Sequence, residues 1–195
     1  ARRVARERDR ANREAEASRQ VSDFLVGLFK VSDPGEARGN SITAREILDR
    51  GAEKIKLELQ GQPAVQGKLM NTMGFVYESL GLFDAAQALL EKALEIRAKA
   101  LGPEHLDVAT TYSNLATVMW RKGDMAKARQ YREAALAIRE RELGPDDPVV
   151  ADSLHNLGTL YYSMGKYAEA KSTLERALAI REKALGPESG DVAAT

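Results

Sequence analysis

The chain has 195 residues, no cysteine, and 29 basic against 29 acidic residues. That length supports one sizeable domain, and the missing cysteine excludes disulfides, thiolate zinc sites and a catalytic thiol. Zero net charge and 6% aromatic content argue against a general nucleic-acid surface. No apolar run reaches the roughly 20 residues of a membrane span, so direct membrane insertion is not expected.

The first 20 residues open ARRVARERDR, basic with no apolar stretch behind them, so no secretory signal is read. Val4, Ala11, Ser18 and Leu25 recur every seven residues, a weak coiled-coil pattern. A charged helical lead-in or linker over 1–20 is the plainer reading. Residues 21–66 read as a degenerate repeat. Its first helix is SRQVSDFLVGLFK, its enlarged turn KVSDPGEARGNS, and its second helix residues 42–60. Ala44 stands 42 residues before Ala86, and Asp49 the same distance before Glu91.

That spacing governs the rest of the chain. Gly81, Gly123 and Gly165 are 42 residues apart, as are Gly102, Gly144 and Gly186, each inside Leu-Gly-Pro. Ala86, Ala128 and Ala170 share a column, as do Ala93, Ala135 and Ala177, then Leu94, Leu136 and Leu178, then Ile96, Ile138 and Ile180. Chance does not align six columns at one period, so internal repetition decides the fold. The boundaries are 67–109, 110–151 and 152–188, with 189–195 the start of a further repeat.

Each unit reads as two helices. The first, DSLHNLGTLYYSMG in its third copy, carries Leu154, Leu157, Gly158 and Tyr161 at i, i+3, i+4 and i+7. It ends at Gly165, a residue suited to a left-handed helix terminus. The second, KYAEAKSTLERALAIREKAL, stops at Leu185-Gly186-Pro187. Asp147-Pro148 offers the next helix a capping side chain and a proline at its first position. Gly74, Ala116 and Gly158 form a column of small residues that lets paired helices approach closely. Arg132 and Met119 depart from the large apolar and tyrosine columns and suggest a looser second copy.

Leu157-Gly158-x-x-Tyr161, followed by Ala170, Leu174 and Ala177, resembles the tetratricopeptide repeat. The 42-residue period and ALEIRAKALGPEHLDVATTYSNLA resemble the subtype found in kinesin light chains, over about residues 67 to 195. The resemblance implies an all-α fold, a right-handed superhelical solenoid of antiparallel helix hairpins. A second resemblance covers roughly residues 10–60. The lead-in ANREAEASRQVSDFLVGLFKVSDPGEARGNSITAREILDRGAEKI is similar to the segment preceding the repeat tails of bacterial serine/threonine protein kinases. It implies the interaction or sensory region of a signalling kinase, attached to a membrane-anchored parent. The rival implication is a stand-alone kinesin-light-chain-like adaptor. No kinase motif occurs in the chain itself.

No residues for catalysis, metal or cofactor binding are expected. Gly158-TLYYSM-Gly165-Lys166 has six residues between its glycines where a phosphate loop has four. His105 falls in an inter-repeat turn, where a solvated role is the default. A catalytic His155 would need a nucleophile and an orienting group; Asp152 lies one turn away, but nothing marks a nucleophile. In the family the first helices line a concave groove. This assigns Asn71, Phe75, Glu78, Ser113, Asn114, Thr117, Trp120, Arg121, His155, Asn156, Thr159 and Tyr162 to partner binding. Amides suit an extended peptide backbone, and Trp120 and Tyr162 are the aromatic types enriched at interfaces. The expected partner is a protein or extended peptide. The Arg97, Arg139, Arg181 and the Glu91, Glu133, Glu175 columns read as a solvated outer face. The chain starts at Ala1 and breaks off at Thr195 in mid-pattern, as a piece of a longer protein would. An apolar stripe on the helix at 167–185, and self-association through this end, are therefore expected.

Overall fold

Thr43 and Glu46 begin the first fully described helix by a reciprocal cap. The Glu46 N–H donates to Thr43 Oγ1 (3.2 Å), and the Thr43 N–H donates to Glu46 Oε2 (2.8 Å). The computed structural model describes residues 15, 19–24, 26–27 and 43–185. Within them the helices run α1 Ala44–Glu58, α2 Pro63–Ser79, α3 Phe83–Leu101, α4 Leu106–Arg121, α5 Met125–Leu143, α6 Pro148–Ser163 and α7 Tyr167–Leu185. There is no strand among the described residues. The helices stack as antiparallel hairpins α2–α3, α4–α5 and α6–α7, each hairpin packing on the next. The result is a right-handed superhelical solenoid. The expected turn at 30–41, the heptad pattern before residue 19 and the further repeat from 189 lie outside the described residues. Residues 19–24 are helical, and Val21 is buried beside Leu48, Ala52 and Ile55 of α1. This is where a first helix of the degenerate repeat would pack.

The repeat boundaries at 67, 110 and 152 fall inside α2, α4 and α6. The period marks columns, whereas caps set helix starts. Asp147 caps α6 through the Val149 N–H (2.8 Å), with Pro148 next, as the sequence suggests. His105 does the same for α4: its Nδ1 accepts from the Asp107 N–H at 3.1 Å. It is thus a cap, standing one period before Asp147, and not a free solvated side chain. The first helices end alike. The amides of Leu82, Asp124 and Lys166 reach back to the carbonyls of Tyr77, Met119 and Tyr161, each at 2.9 Å, across a glycine of positive φ. At Gly165 φ is +74°.

Close approach within hairpins follows the small column. A Cβ at Gly74 would sit 2.6 Å from Leu90 Cγ, and one at Gly158 2.7 Å from Leu174 Cγ. Copy two holds Ala116 and Arg132 at these two positions, so a side chain on the first helix goes with loss of the leucine opposite. The alanine columns are buried as expected, with Ala86, Ala128, Ala93 and Ala177 fully inaccessible.

Two further expectations fail. The arginine column is not a solvated outer face. Arg97 is 3% exposed, and its Nη1 donates to the Asp107 carbonyl and to Thr111 Oγ1, both at 2.8 Å, tying α3 to α4. Arg139 repeats this one period later by donating to Ser153 Oγ at 2.7 Å. Arg181 Nη2 donates to Asp152 Oδ1 at 2.7 Å. At the α3–α4 junction the long stem is buried and at the α5–α6 junction it is half-buried, and in each the fork finds an acceptor on the next helix. Nor, among its described side chains, does α7 present the expected apolar stripe. Ala170, Ala177 and Ile180 are buried, Leu174 and Leu178 half-buried, and Tyr167 is its exposed large apolar residue.

Candidate partner-binding groove

Successive first helices α2, α4 and α6 carry the residues assigned to partner binding. The structure divides them into three groups. The first is a seam between α2 and α4, which pack directly against each other. Asn114 Nδ2 donates to Asn71 Oδ1 at 3.1 Å, and Arg121 Nε lies 3.5 Å from Glu78 Oε1. Asn71 is buried (8% exposed), which corrects its assignment as an open groove residue: its amide oxygen is taken by Asn114. Glu78 is likewise mostly covered, while Arg121 is exposed and lies over the Trp120 ring (5.7 Å).

The second group is aromatic. Phe75 (54% exposed), Trp120 (38%) and Tyr162 (64%) present large rings to solvent from α2, α4 and α6 in turn. Tyr162 meets Tyr167 of α7 edge-on at 5.5 Å. Trp120 and Tyr162 share one column of the repeat and Phe75 stands a turn earlier on α2, so successive first helices each expose one large ring.

The third group surrounds a pocket of about 210 Å³ between α4 and α6, bringing together Trp120, His155, Asn156 and Thr159 with Arg132, Leu160 and Ser163. Asn156 and Thr159 are exposed, and the Thr159 hydroxyl is turned back to the His155 carbonyl (2.9 Å). Ser113 and Thr117 are half-buried on α4, where Thr117 donates to the Ser113 carbonyl. His155 is half-buried, and its Nδ1 has no hydrogen-bond partner. Burial and the nearby Arg181 push its pKa below the usual 6.5, against a smaller opposite pull from Asp152, so the ring is neutral at physiological pH. Arg132 rises into this pocket from α5, with its pKa lowered by burial. Sequence reasoning did not assign it to the groove, because second helices were read as the outer layer. The available signal was its departure from the leucine column of Leu90 and Leu174.

On the other layer, tyrosine hydroxyls of first helices reach carboxylates on the preceding second helix. Tyr77 donates to Asp49 (2.5 Å) and Tyr161 to Glu133 (3.0 Å). Met119 interrupts this series in copy two, where Glu91 receives no tyrosine hydroxyl. Burial, followed by the carboxylate acceptor, raises the pKa of both phenols. No described helix is long and apolar enough to cross a membrane.

The tetratricopeptide repeat family model matches residues 66–131 and 107–183. Among solved structures, the chain is similar to BtubC (BKLC) from P. vanneervenii, with 25% identity and a TM-score of 0.70, covering 92% of this chain and 77% of that one. It is equally similar to a putative kinesin light chain from Podosopora anserina with nearly identical tetratricopeptide-like repeats, at 25% identity and a TM-score of 0.69, covering 91% and 82%. MamA shares the fold at 18% identity and a TM-score of 0.51, over 80% of this chain and 89% of that chain. Among curated proteins, none matches the chain.

Proposed function

The chain belongs to the tetratricopeptide-repeat family, and from that premise we propose that it is a protein-interaction scaffold whose concave face holds an extended segment of a partner. The observation that carries this is the run of exposed rings Phe75, Trp120 and Tyr162 on consecutive first helices. Aromatic side chains supply interface energy at low entropic cost, and the neighbouring Asn156, Thr159 and Arg121 supply polar contacts to a peptide backbone. The test is capture of a partner from the parent organism's lysate by wild type and by Phe75→Ala/Trp120→Ala/Tyr162→Ala. The control pair is Gln130→Ala/Lys171→Ala, exposed on second helices α5 and α7. The concave reading expects loss with the first set and retention with the second. The opposite pattern moves the partner to the second-helix face.

The scaffold is read as the interaction region of a bacterial signalling kinase, supported by the resemblance of residues 10–60 to the segment that precedes such repeat tails. A second reading, a kinesin-light-chain-like adaptor, is favoured by the similarity to solved structures of that type over most of their length. The gene upstream of Ala1 discriminates: a kinase domain followed by a membrane span supports the first, and no kinase supports the second.

A further inference from the structure

A second pocket, of about 400 Å³, lies between the first turn of α2 and the last turns of α3, and it shares no residue with the groove. The first repeat departs from the other two at this place. Gln66 stands where copies two and three bury Val108 and Val150. It is itself 8% exposed, and its Nε2 donates to the Ile55 carbonyl (3.2 Å), one of those left open at the end of α1. That contact fixes the amide orientation, because a carbonyl accepts only from the nitrogen, and no donor from the described residues reaches Oε1. The rim differs as well. In copies two and three an acid on the inter-repeat turn pairs with a base near the end of the second helix, Glu104 with Arg141 and Asp146 with Lys183. One period earlier stand Gln62 and Lys99, so no such pair forms, and Lys99 has no ion-pair partner among the described residues. Ile96, which lines the pocket, is half-buried, whereas Ile138 and Ile180 in its column are 6% and 5% exposed.

We propose that this pocket is a second peptide-binding site, outside the concave face, for an extended segment of another protein that places an apolar side chain here. The segment's backbone N–H donates to Gln66 Oε1, its carbonyl accepts from Lys99 Nζ, and its side chain covers Pro63, Ile96 and Ala100. A peptide unit offers one donor and one acceptor beside an apolar group, which is the complement of what the pocket holds. Donation of that N–H satisfies a mostly buried amide oxygen. Gln60, Lys99 and Ala100 are exposed at the rim, so a chain can run through the pocket and need not end there. Glu95, also at the rim, is already held by Lys92 at 2.7 Å. Copies two and three close the same place with their own ion pairs, which confines the site to the first repeat. The scaffold then carries two partners on separate surfaces, and this site is independent of the groove.

The chain supplies its own controls. Gln62→Glu installs the acid of copies two and three, and its pairing with Lys99 should close the pocket without disturbing the core. Gln66→Val installs the valine of those copies and removes the acceptor. A library of short peptides with amidated C-termini is panned against wild type and against Phe75→Ala/Trp120→Ala/Tyr162→Ala, which lacks the exposed rings of the groove. Affinities of the peptides selected by the triple variant are then measured by titration against wild type and the two pocket variants. The expected result is a set of peptides sharing one apolar position, bound by wild type and weakened about fivefold or more by Gln62→Glu. Replacing one backbone N–H beside that position with an ester oxygen should weaken wild-type binding by about as much, and should add nothing in Gln66→Val. Gln62→Glu should melt at or above wild type, so its loss of binding reports closure of the pocket. Should Gln66→Val not fold, Gln62→Glu alone decides. Peptides that bind Gln62→Glu as well as wild type overturn the site, as does an ester penalty that Gln66→Val leaves in place. A dependence on an acidic side chain of the peptide, with none on the N–H, overturns it too. Peptides selected by wild type and none by the triple variant overturn this site and leave the groove standing. Peptides selected by the triple variant and lost in Gln62→Glu support it whether or not the groove binds.

Discussion

Arg97 and Arg129 are both arginines on second helices, yet they make different contributions. Arg97 is buried, donates to two oxygens on α4, and its Cγ lies where a Cβ on Gly67 would stand 2.8 Å away. Arg129 makes an ion pair one turn along its own helix with Glu133, at the surface. Arg97→Ala should therefore cost about 1.5–3 kcal/mol in denaturant unfolding, the range for hydrogen bonds to charged groups. Arg129→Ala should cost about 0.5 kcal/mol or less. Equal losses would return Arg97 to the solvated face that its column suggests in sequence. The asparagines divide in the same way. Asn114 is bonded to the buried Asn71, so Asn114→Ala should lower stability by about 0.5–1.5 kcal/mol. The exposed Asn156 has no such partner, and Asn156→Ala should leave the melting temperature unchanged.

Hairpin packing belongs to the element. Gly74 and Leu90 interlock so closely that Gly74→Ala forces Leu90 out of its place, and overpacking of this kind costs about 1–3 kcal/mol. The same alanine is native at position 116, where Arg132 leaves the space. The prediction is a Gly74→Ala loss, measured by thermal unfolding, that Leu90→Val partly repairs; a loss that Leu90→Val deepens would place the conflict elsewhere. These elements were legible in sequence because glycine stops, capping residues and a 42-residue period all mark local backbone geometry. The partners of long polar side chains were not. Arg97 and Arg139 carry the same helix-face spacing as a solvated ion-pair column, and only the packing of the next hairpin against them decides their burial. Asn71 shared a polar column with Ser113 and His155, and nothing in that column marked its oxygen as taken. Arg132 was visible as a departure, but its direction depended on the separation of α4 from α6.

That separation is a property of the whole molecule. In a solenoid, stability is a chain of hairpin terms and nearest-neighbour interfaces, so the weakest interface decides where it opens first. The main hydrophobic cluster runs from Val21 through α1, α2 and α3 into Leu115, Val118 and Met119 of α4, and on to Ala128 of α5 and Leu160 of α6. The first helices α2 and α4 touch directly and are stitched by Asn71–Asn114 and Glu78–Arg121. Between α4 and α6 no backbone contact of the same extent exists and the pocket with Arg132 lies there; Leu160 carries the main cluster into α6, while the rest of the buried apolar side chains shared by α6 and α7 form a small cluster reached by Leu136. Native-state hydrogen exchange should show α6 and α7 opening together at a lower free energy than α2 to α4. The variant Ala116→Gly/Arg132→Leu should narrow that gap by restoring apolar packing under the junction. Uniform protection across all the hairpins would show that the α5–α6 face alone, with Arg139 on Ser153, couples the last repeat as firmly as the rest.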